Sequence, residues 1–246
     1  AAFVVTATPG IAEYLRRAGI ASDRIAMLYN GDPYEVTGSD RQIPLWIGQF
    51  RAAHRYLIAY MGTIGLMDDI HTILDSASGL MNDPDVGFLI IGDGECREAY
   101  MQRASKMQLE HVRFTGPFTR KQARAIMSYC DICVQTHPQG QHFAYTLSSK
   151  ILDYLRMGIP TIFSGEGDTA ALLAEAQAGI TVPAEDASSF TQAILLLIHN
   201  AELRRRMGEA GQRWFQAHVN RQAALQVIRR ALGQESPACV STAGSL

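Results

Sequence analysis

No stretch of this 246-residue chain is apolar for long enough to span a bilayer, and no signal-peptide pattern opens it. The cytosol is therefore the expected location. Charge of one sign is also lacking: 22 Lys and Arg against 24 Asp and Glu leave a formal net charge of -2, which gives no global attraction to nucleic acid or to an anionic membrane. Nucleic acid is not an expected partner, and any bound anion must be held by a local site. Cysteine is scarce. Cys96, Cys130, Cys133 and Cys239 make no secreted-type framework, and Cys133 of the Cys130-x-x-Cys133 pair lies inside an apolar strand with no second Cys/His pair at zinc spacing. No metal site is expected. Two nucleotide signatures are missing as well. Gly62-Thr63-Ile64-Gly65 does not fit the Gly-x-Gly-x-x-Gly turn of a dinucleotide enzyme, Gly92-Asp93-Gly94 has Arg97 where the third Gly belongs, and no Gly-Lys-Ser/Thr follows the first regular strand. NAD and P-loop chemistry are disfavoured. An initiator Met is absent too, and Ala1 leads at once into Phe3-Val4-Val5, so the chain is expected to be cut from something longer.

What is present is a globular composition, 47% hydrophobic and 19% charged, with enough length for a full core. Phe3–Thr6 reads as a strand, Thr8-Pro9 opens a helix through Leu15, and Ile25–Leu28 reads as a second strand ended by Asn30-Gly31 and Asp32-Pro33. Residues 31–54 show no steady period and read as a connecting segment that contains the domain boundary. Beyond them, short apolar strands (Tyr56–Met61, Val86–Ile91, Val112–Thr115, Asp131–Gln135, Pro160–Phe163, Ile180–Val182) alternate with helical runs (Asp69–Met81, Glu95–Met107, Arg120–Tyr129, Ser149–Met157, Thr169–Glu175). Nearly continuous apolar strands in such alternation predict a parallel sheet covered by helices on both faces, an α/β doubly wound, Rossmann-like domain of about six strands. Three further helices (Ala187–Ile198, Ala201–Ala217, Arg221–Leu232) and a small, polar tail, 233–246, complete the chain.

In an open parallel sheet, ligands bind beyond the carboxyl ends of the strands, so the loops after each strand are the places to search. Gly62 and Gly65 follow the first strand of the regular region, Gly92 and Gly94 the second, and Gly116-Pro117-Phe118 the third. Glycines there let backbone approach a ligand. After the fourth strand comes the stretch 136–158, THPQGQHFAYTLSSKILDYLRMG, in which a polar loop turns into a helix at Ser148-Ser149. Either serine can cap that helix, whose free N–H groups suit a phosphate. Lys150 stands in the first turn, where the helix dipole disfavours a cation unless something negative lies nearby, and Asp153 shares its stripe. The two admit a second reading as a solvated surface ion pair worth a few tenths of a kcal/mol.

Taken in order, these stretches resemble the nucleotide-sugar-binding half of a family-4 retaining glycosyltransferase of GT-B architecture, over roughly residues 3–220. The resemblance is carried by Tyr29-Asn30-Gly31-Asp32, Tyr60–Gly65, Leu89–Gly94, Val112–Gly116, Ser149–Leu155, Gly158–Thr161, Ala178–Pro183 and Glu202–Gly208. It implies that Asp153 holds the donor's ribose hydroxyls, that Phe114, Gly116 and Phe118 face the base, and that Gly62, Thr63, Ser148, Ser149 and Lys150 face the diphosphate. Tyr145 stands where most members carry an acid eight residues before the ribose carboxylate, and Thr63 and Asp68 stand where many carry Arg and Lys. Lys150 is then the phosphate cation and the candidate for stabilising the leaving diphosphate, as in the surface-polysaccharide subgroup with a Ser-Lys-x-x-Glu/Asp-Tyr stretch. The implied activity is transfer of a sugar, with retention, from a nucleoside-diphosphate sugar to a sugar or lipid-linked acceptor, with no metal or other cofactor and with peripheral contact to the inner face of a membrane. The implied domains are 1–36, a remnant of an N-terminal acceptor domain; 37–54, a linker; and 55–232, the donor-binding domain. The missing acceptor domain or a separate acceptor chain would be a partner, and the fragment alone is expected to be inactive. A non-catalytic donor-binding subunit and a sugar-nucleotide epimerase of the same architecture are the alternatives.

Overall fold

The computed structural model describes residues 3–31 and 43–232. The expected boundary between residues 36 and 37, Cys239 and the tail 233–246 lie outside them. Six strands, β3 (Tyr56–Met61), β4 (Val86–Ile91), β5 (Val112–Gly116), β6 (Ile132–Thr136), β7 (Thr161–Ser164) and β8 (Gly179–Val182), form one parallel sheet in the order β5-β4-β3-β6-β7-β8. The order reverses between β3 and β6, whose register pairs Ile58 with Ile132 and Ala59 with Cys133. That reversal is where an open α/β sheet leaves a crevice. A separate two-stranded parallel sheet pairs β1 (Val4–Thr6) with β2 (Ile25–Met27).

Each central strand is buried on both faces, so alternate residues feed two cores. Leu57, Ala59 and Met61 of β3 join one core with α2 (Leu45–Ala53), α5 (Arg120–Met127), α6 (Ser149–Met157), α7 (Asp168–Ala176) and α9 (Ala201–His218). Ile58 and Tyr60 join the other, with α3 (Ile70–Gly79), α4 (Arg97–Lys106) and α8 (Ala187–His199). This explains the apolar runs: a strand covered by helices on both sides has no solvated face on which polar residues could alternate. Tyr154, fully buried on α6, accepts the Met61 N–H at 3.0 Å and reaches the Met61 and Val134 carbonyls at 3.3 and 3.4 Å. It fixes α6 against the two strands that flank the crevice.

The expected connecting segment 31–54 is corrected in its second half. α2 is a helix that buries Ile47 and Phe50, and its Arg51 pairs with Asp131 at 3.1 Å, whose other contact is the Leu57 N–H at 2.9 Å. The two buried residues are one turn apart on a nine-residue helix, too short a pattern to show a period. The first helix, α1 (Pro9–Arg17), is capped by Thr8, as its sequence implies, and runs two residues beyond Leu15, ending before Gly19. Asp168 at the start of α7 accepts the Gly10 N–H at 2.8 and 3.1 Å, tying α1 to the main domain. The last helix, α10 (Arg221–Ala231), crosses to the small sheet: Arg230 lies over the Phe3 ring at 5.7 Å and donates to the Asp23 carbonyl at 3.1 Å. Leu225 and Ile228 on it, and Leu232 just after it, are exposed.

Two features of the carboxyl edge shape what can bind there. The loops after β3 and β4 are in backbone contact, with a Cβ on Gly92 falling 1.8 Å from the Gly62 carbonyl oxygen. By contrast, the nearest atoms to a Cβ on Gly65 are 3.7 Å away. Behind the crevice, the ring of His137 is buried, stacked on Phe143 at 5.0 Å and edge-on to Phe163 at 5.2 Å. Burial pushes its pKa down from 6.5 to about 4, with Lys150 acting in the same direction and Asp68 opposing.

Gly92→Ala must push the two loops apart and should lower stability by about 1–3 kcal/mol, whereas Gly65→Ala should be near neutral, as read from urea unfolding midpoints. Because folded His137 resists protonation, the unfolded chain takes up that proton first as pH falls. Stability from this residue is intact above about pH 6.5 and is lost progressively down to about pH 4, by about 3 kcal/mol in all. His137→Phe should therefore flatten the stability-pH curve between pH 7 and 5 by about 2 kcal/mol. Parallel curves for the two proteins would contradict this.

Candidate functional site

A cleft of about 440 Å³ opens at the crevice between β3 and β6. The loop after β3 gives Gly62 and Thr63, the loop after β4 gives Gly92 and Asp93, the loop after β5 gives Pro117 and Phe118, and α5 gives Arg120 and Ala123. The fourth wall is the start of α6, with Ser149, Lys150 and Asp153, and Asn30 reaches in from beyond β2. The strand order brings these distant segments together: the carboxyl ends of β3, β4, β5 and β6 all open on the same edge.

Lys150 anchors one end. Its Nζ donates to Asp68 Oδ1 at 2.5 Å and to the Tyr60 hydroxyl at 2.7 Å, and that hydroxyl donates to the Thr63 carbonyl at 2.5 Å. Gln135 Nε2 adds a bond to the same Asp68 oxygen at 3.1 Å. Burial lowers the Lys150 pKa, while the Asp68 charge and hydrogen bond raise it; the same burial, with Asp68 beside it, pushes the Tyr60 hydroxyl far up and keeps it neutral. Lys150 thus spans the loop after β3 and the helix after β6, and its side chain, packed on Gly62, lines the cleft. Ser148 occupies the N-cap position of α6, but its side chain makes no capping bond, contrary to expectation. Its own N–H instead donates to Thr169 Oγ1 at 3.2 Å. The first turn of α6 therefore presents its backbone donors to the cleft without a competing side-chain oxygen.

Asp153 anchors the other end, and here the surface-pair reading fails. Lys150 and Asp153 do not bond each other, and the Asp153 side chain is only 7% exposed. Its Oδ1 accepts from Arg124 Nε and Nη2 at 3.1 and 2.5 Å, and its Oδ2 accepts from Arg120 Nε and Nη2 at 3.1 and 2.9 Å. Sequence reasoning missed both arginines. A signal existed: Arg120 stands in the first turn of α5, where the dipole disfavours a cation, the argument that singled out Lys150. Asp68, noted only as a departure from the family pattern, proves to be the partner of Lys150.

Of the residues expected at the site, the cleft gathers Gly62, Thr63, Gly92, Phe118, Ser149, Lys150 and Asp153. Gly65, Gly94, Phe114, Gly116, Tyr145 and Ser148 do not line it. Gly94 packs on the Ile64 backbone, Phe114 packs on the core beneath α4, and Gly116 takes a left-handed φ of 78° and bridges to Gly92. Tyr145 ends a 3-10 turn beside α1, where a Cβ on Gly10 would lie 2.5 Å from its ring. These residues shape the loops instead. Cys130 and Cys133 are free, buried thiols whose pKa values burial pushes far up. Among the described residues, no group of three His, Cys, Asp or Glu could hold a metal ion, and no helix is long and apolar enough to cross a membrane.

Comparison with known proteins places this architecture. The chain is 27% identical over 158 residues to the phosphatidyl-myo-inositol mannosyltransferase of Mycobacterium leprae, covering 64% of this chain and 41% of that protein. It is 24% identical over 234 residues to the lipopolysaccharide core biosynthesis glycosyltransferase LpsE of Rhizobium meliloti, covering 94% and 64%. It thus spans less than two thirds of the length of either relative. Among solved structures, HepE from Anabaena, in complex with UDP and glucose, superposes with a TM-score of 0.76 at 17% identity, over 96% of this chain and 64% of that one. The six-stranded parallel sheet between two helical layers is the expected Rossmann-like fold of GT-B glycosyltransferases. Residues 47–214, more than half of the chain, match the family described as Glycosyl transferases group 1, and the chain belongs to that family.

Proposed function

We propose that this chain is the donor-binding portion of a family-4 retaining glycosyltransferase, one that moves a sugar from a nucleoside-diphosphate sugar to a sugar or lipid-linked acceptor in cell-surface polysaccharide or glycoconjugate synthesis. The observation that carries this is the meeting, in one cleft, of a helix N-terminus without a side-chain cap, Lys150 and the Gly62-Thr63 turn. Phosphate oxygens meet N–H donors, a helix dipole and a cation there. The relatives support the reading through the glycolipid and lipopolysaccharide chemistry in their names, and the HepE structure through its bound UDP.

Negative charge grows on the diphosphate as the sugar leaves, so fixed donors at that oxygen lower the barrier more than they tighten the ground state. Lys150 supplies the charge without a metal. Asp68 is the carboxylate beside it. Phe118 and Pro117, which line the same cleft, give the base an apolar surface. The acceptor is held by a further domain or a separate chain, so that donor and acceptor meet across the cleft mouth. Alone, the chain transfers no sugar.

Calorimetry with UDP and GDP should show binding that is unchanged by a chelator; strict dependence on a divalent ion would contradict the reading. Lys150→Ala should weaken the diphosphates by about ten- to a hundredfold and the bare nucleosides far less, because the lost bonds are charge-assisted and made to phosphate. Equal losses for nucleoside and diphosphate would remove Lys150 from the phosphate site.

A further inference from the structure

Asp153 is bound by two arginines in very different settings. Arg124 is 9% exposed and grips Oδ1 from within the core, whereas Arg120 is 51% exposed and grips Oδ2 from the cleft side. Breaking a buried ion pair strands a charge in low dielectric, but a half-exposed pair in water holds its partners only weakly. The two contacts therefore differ in how readily they can be exchanged. Arg120 sits in the first turn of α5, a place unfavourable to a cation unless an anion is near. Asp153 lies three residues along α6 from Lys150, a separation of about 4.5 Å along the axis. A guanidinium resting on Asp153 is thus within a swing of the anion site.

We propose that Arg120 is a donor-binding residue that changes partner, and that Arg124 is the positioning residue that stays. In the structure the Arg120 guanidinium covers Asp153 Oδ2. When a nucleoside diphosphate enters, that guanidinium turns to the phosphate oxygens and Oδ2 accepts the ribose hydroxyls. Arg124 keeps its hold on Oδ1, which keeps Asp153 aimed. The exchange reconciles a carboxylate already saturated by guanidinium groups with a role in holding a diol: one oxygen is committed, and the other is held by a group that the ligand itself can draw away. The proposal rests on the reading of the cleft as a nucleoside-diphosphate site.

The test uses the whole chain with UDP, uridine, GDP and guanosine, reading diphosphates by calorimetry and nucleosides by saturation-transfer NMR. Arg120→Gln should weaken the diphosphate by about tenfold or more and leave the nucleoside as tight as before or tighter, since its hydroxyls no longer compete for Oδ2. Arg120→Lys should recover part of the diphosphate affinity. Arg124→Lys should weaken nucleoside and diphosphate in the same proportion, through Asp153. If Arg120→Gln leaves the diphosphate unchanged, or weakens nucleoside and diphosphate equally, the exchange is wrong while the cleft remains a nucleotide site. If the unaltered chain binds none of the four, the reading of the cleft fails and the exchange with it.

Discussion

The ion pair between Lys150 and Asp68 is the constraint on which the rest of this site depends. It joins the loop after β3 to the helix after β6, the two segments that flank the reversal in strand order, and both partners are largely out of water, at 19% and 9% exposed. Such a pair is costly to bury unless its remaining donors and acceptors are met. Tyr60 and Gln135 meet them here, and Tyr154 holds the same helix against β3 and β6 from below. With that brace in place, the Lys150 side chain packs on Gly62, and the first turn of α6 and the loop after β3 line the same cleft.

A common logic links the two ends of the cleft. Lys150 and Arg120 each stand in the first turn of a helix, where the dipole works against them, and each rests on a carboxylate from another element. In the exchange proposed for Arg120, the pair with Asp153 would give way to one with a phosphate, so that charge would not be left uncompensated. The deeper pairs, those of Arg124 and of Gln135, keep the carboxylates in place throughout.

Much of this arrangement could be read from the chain because its strands are buried on both faces. The Tyr56–Met61 and Val86–Ile91 runs match β3 and β4 end to end, and Ser149–Met157 matches α6, since a polar loop precedes it and Gly158 follows. Elements with weaker local signals were not legible. α2 buries two side chains on one face of a short helix and is fixed by Arg51 reaching Asp131 across the sheet, a contact no local pattern encodes. The same holds at the site. Asp153 was singled out by its place on α6, but its partners lie 29 and 33 residues earlier, and topology alone sets α5 against α6. Ser148 is of the right type to cap a helix, and its backbone is bound instead by Thr169 from α7.

The central claim is that a nucleoside diphosphate lies in the cleft between β3 and β6 with its phosphates at the start of α6. Hydrogen-deuterium exchange of the chain with and without saturating UDP or GDP addresses this directly. Slowed exchange should be confined to residues 62–65, 92–94, 116–124 and 148–153, with none at the groove between α7 and α9 that Arg206 and Arg213 line. Protection at that groove, with the start of α6 unchanged, would contradict the account.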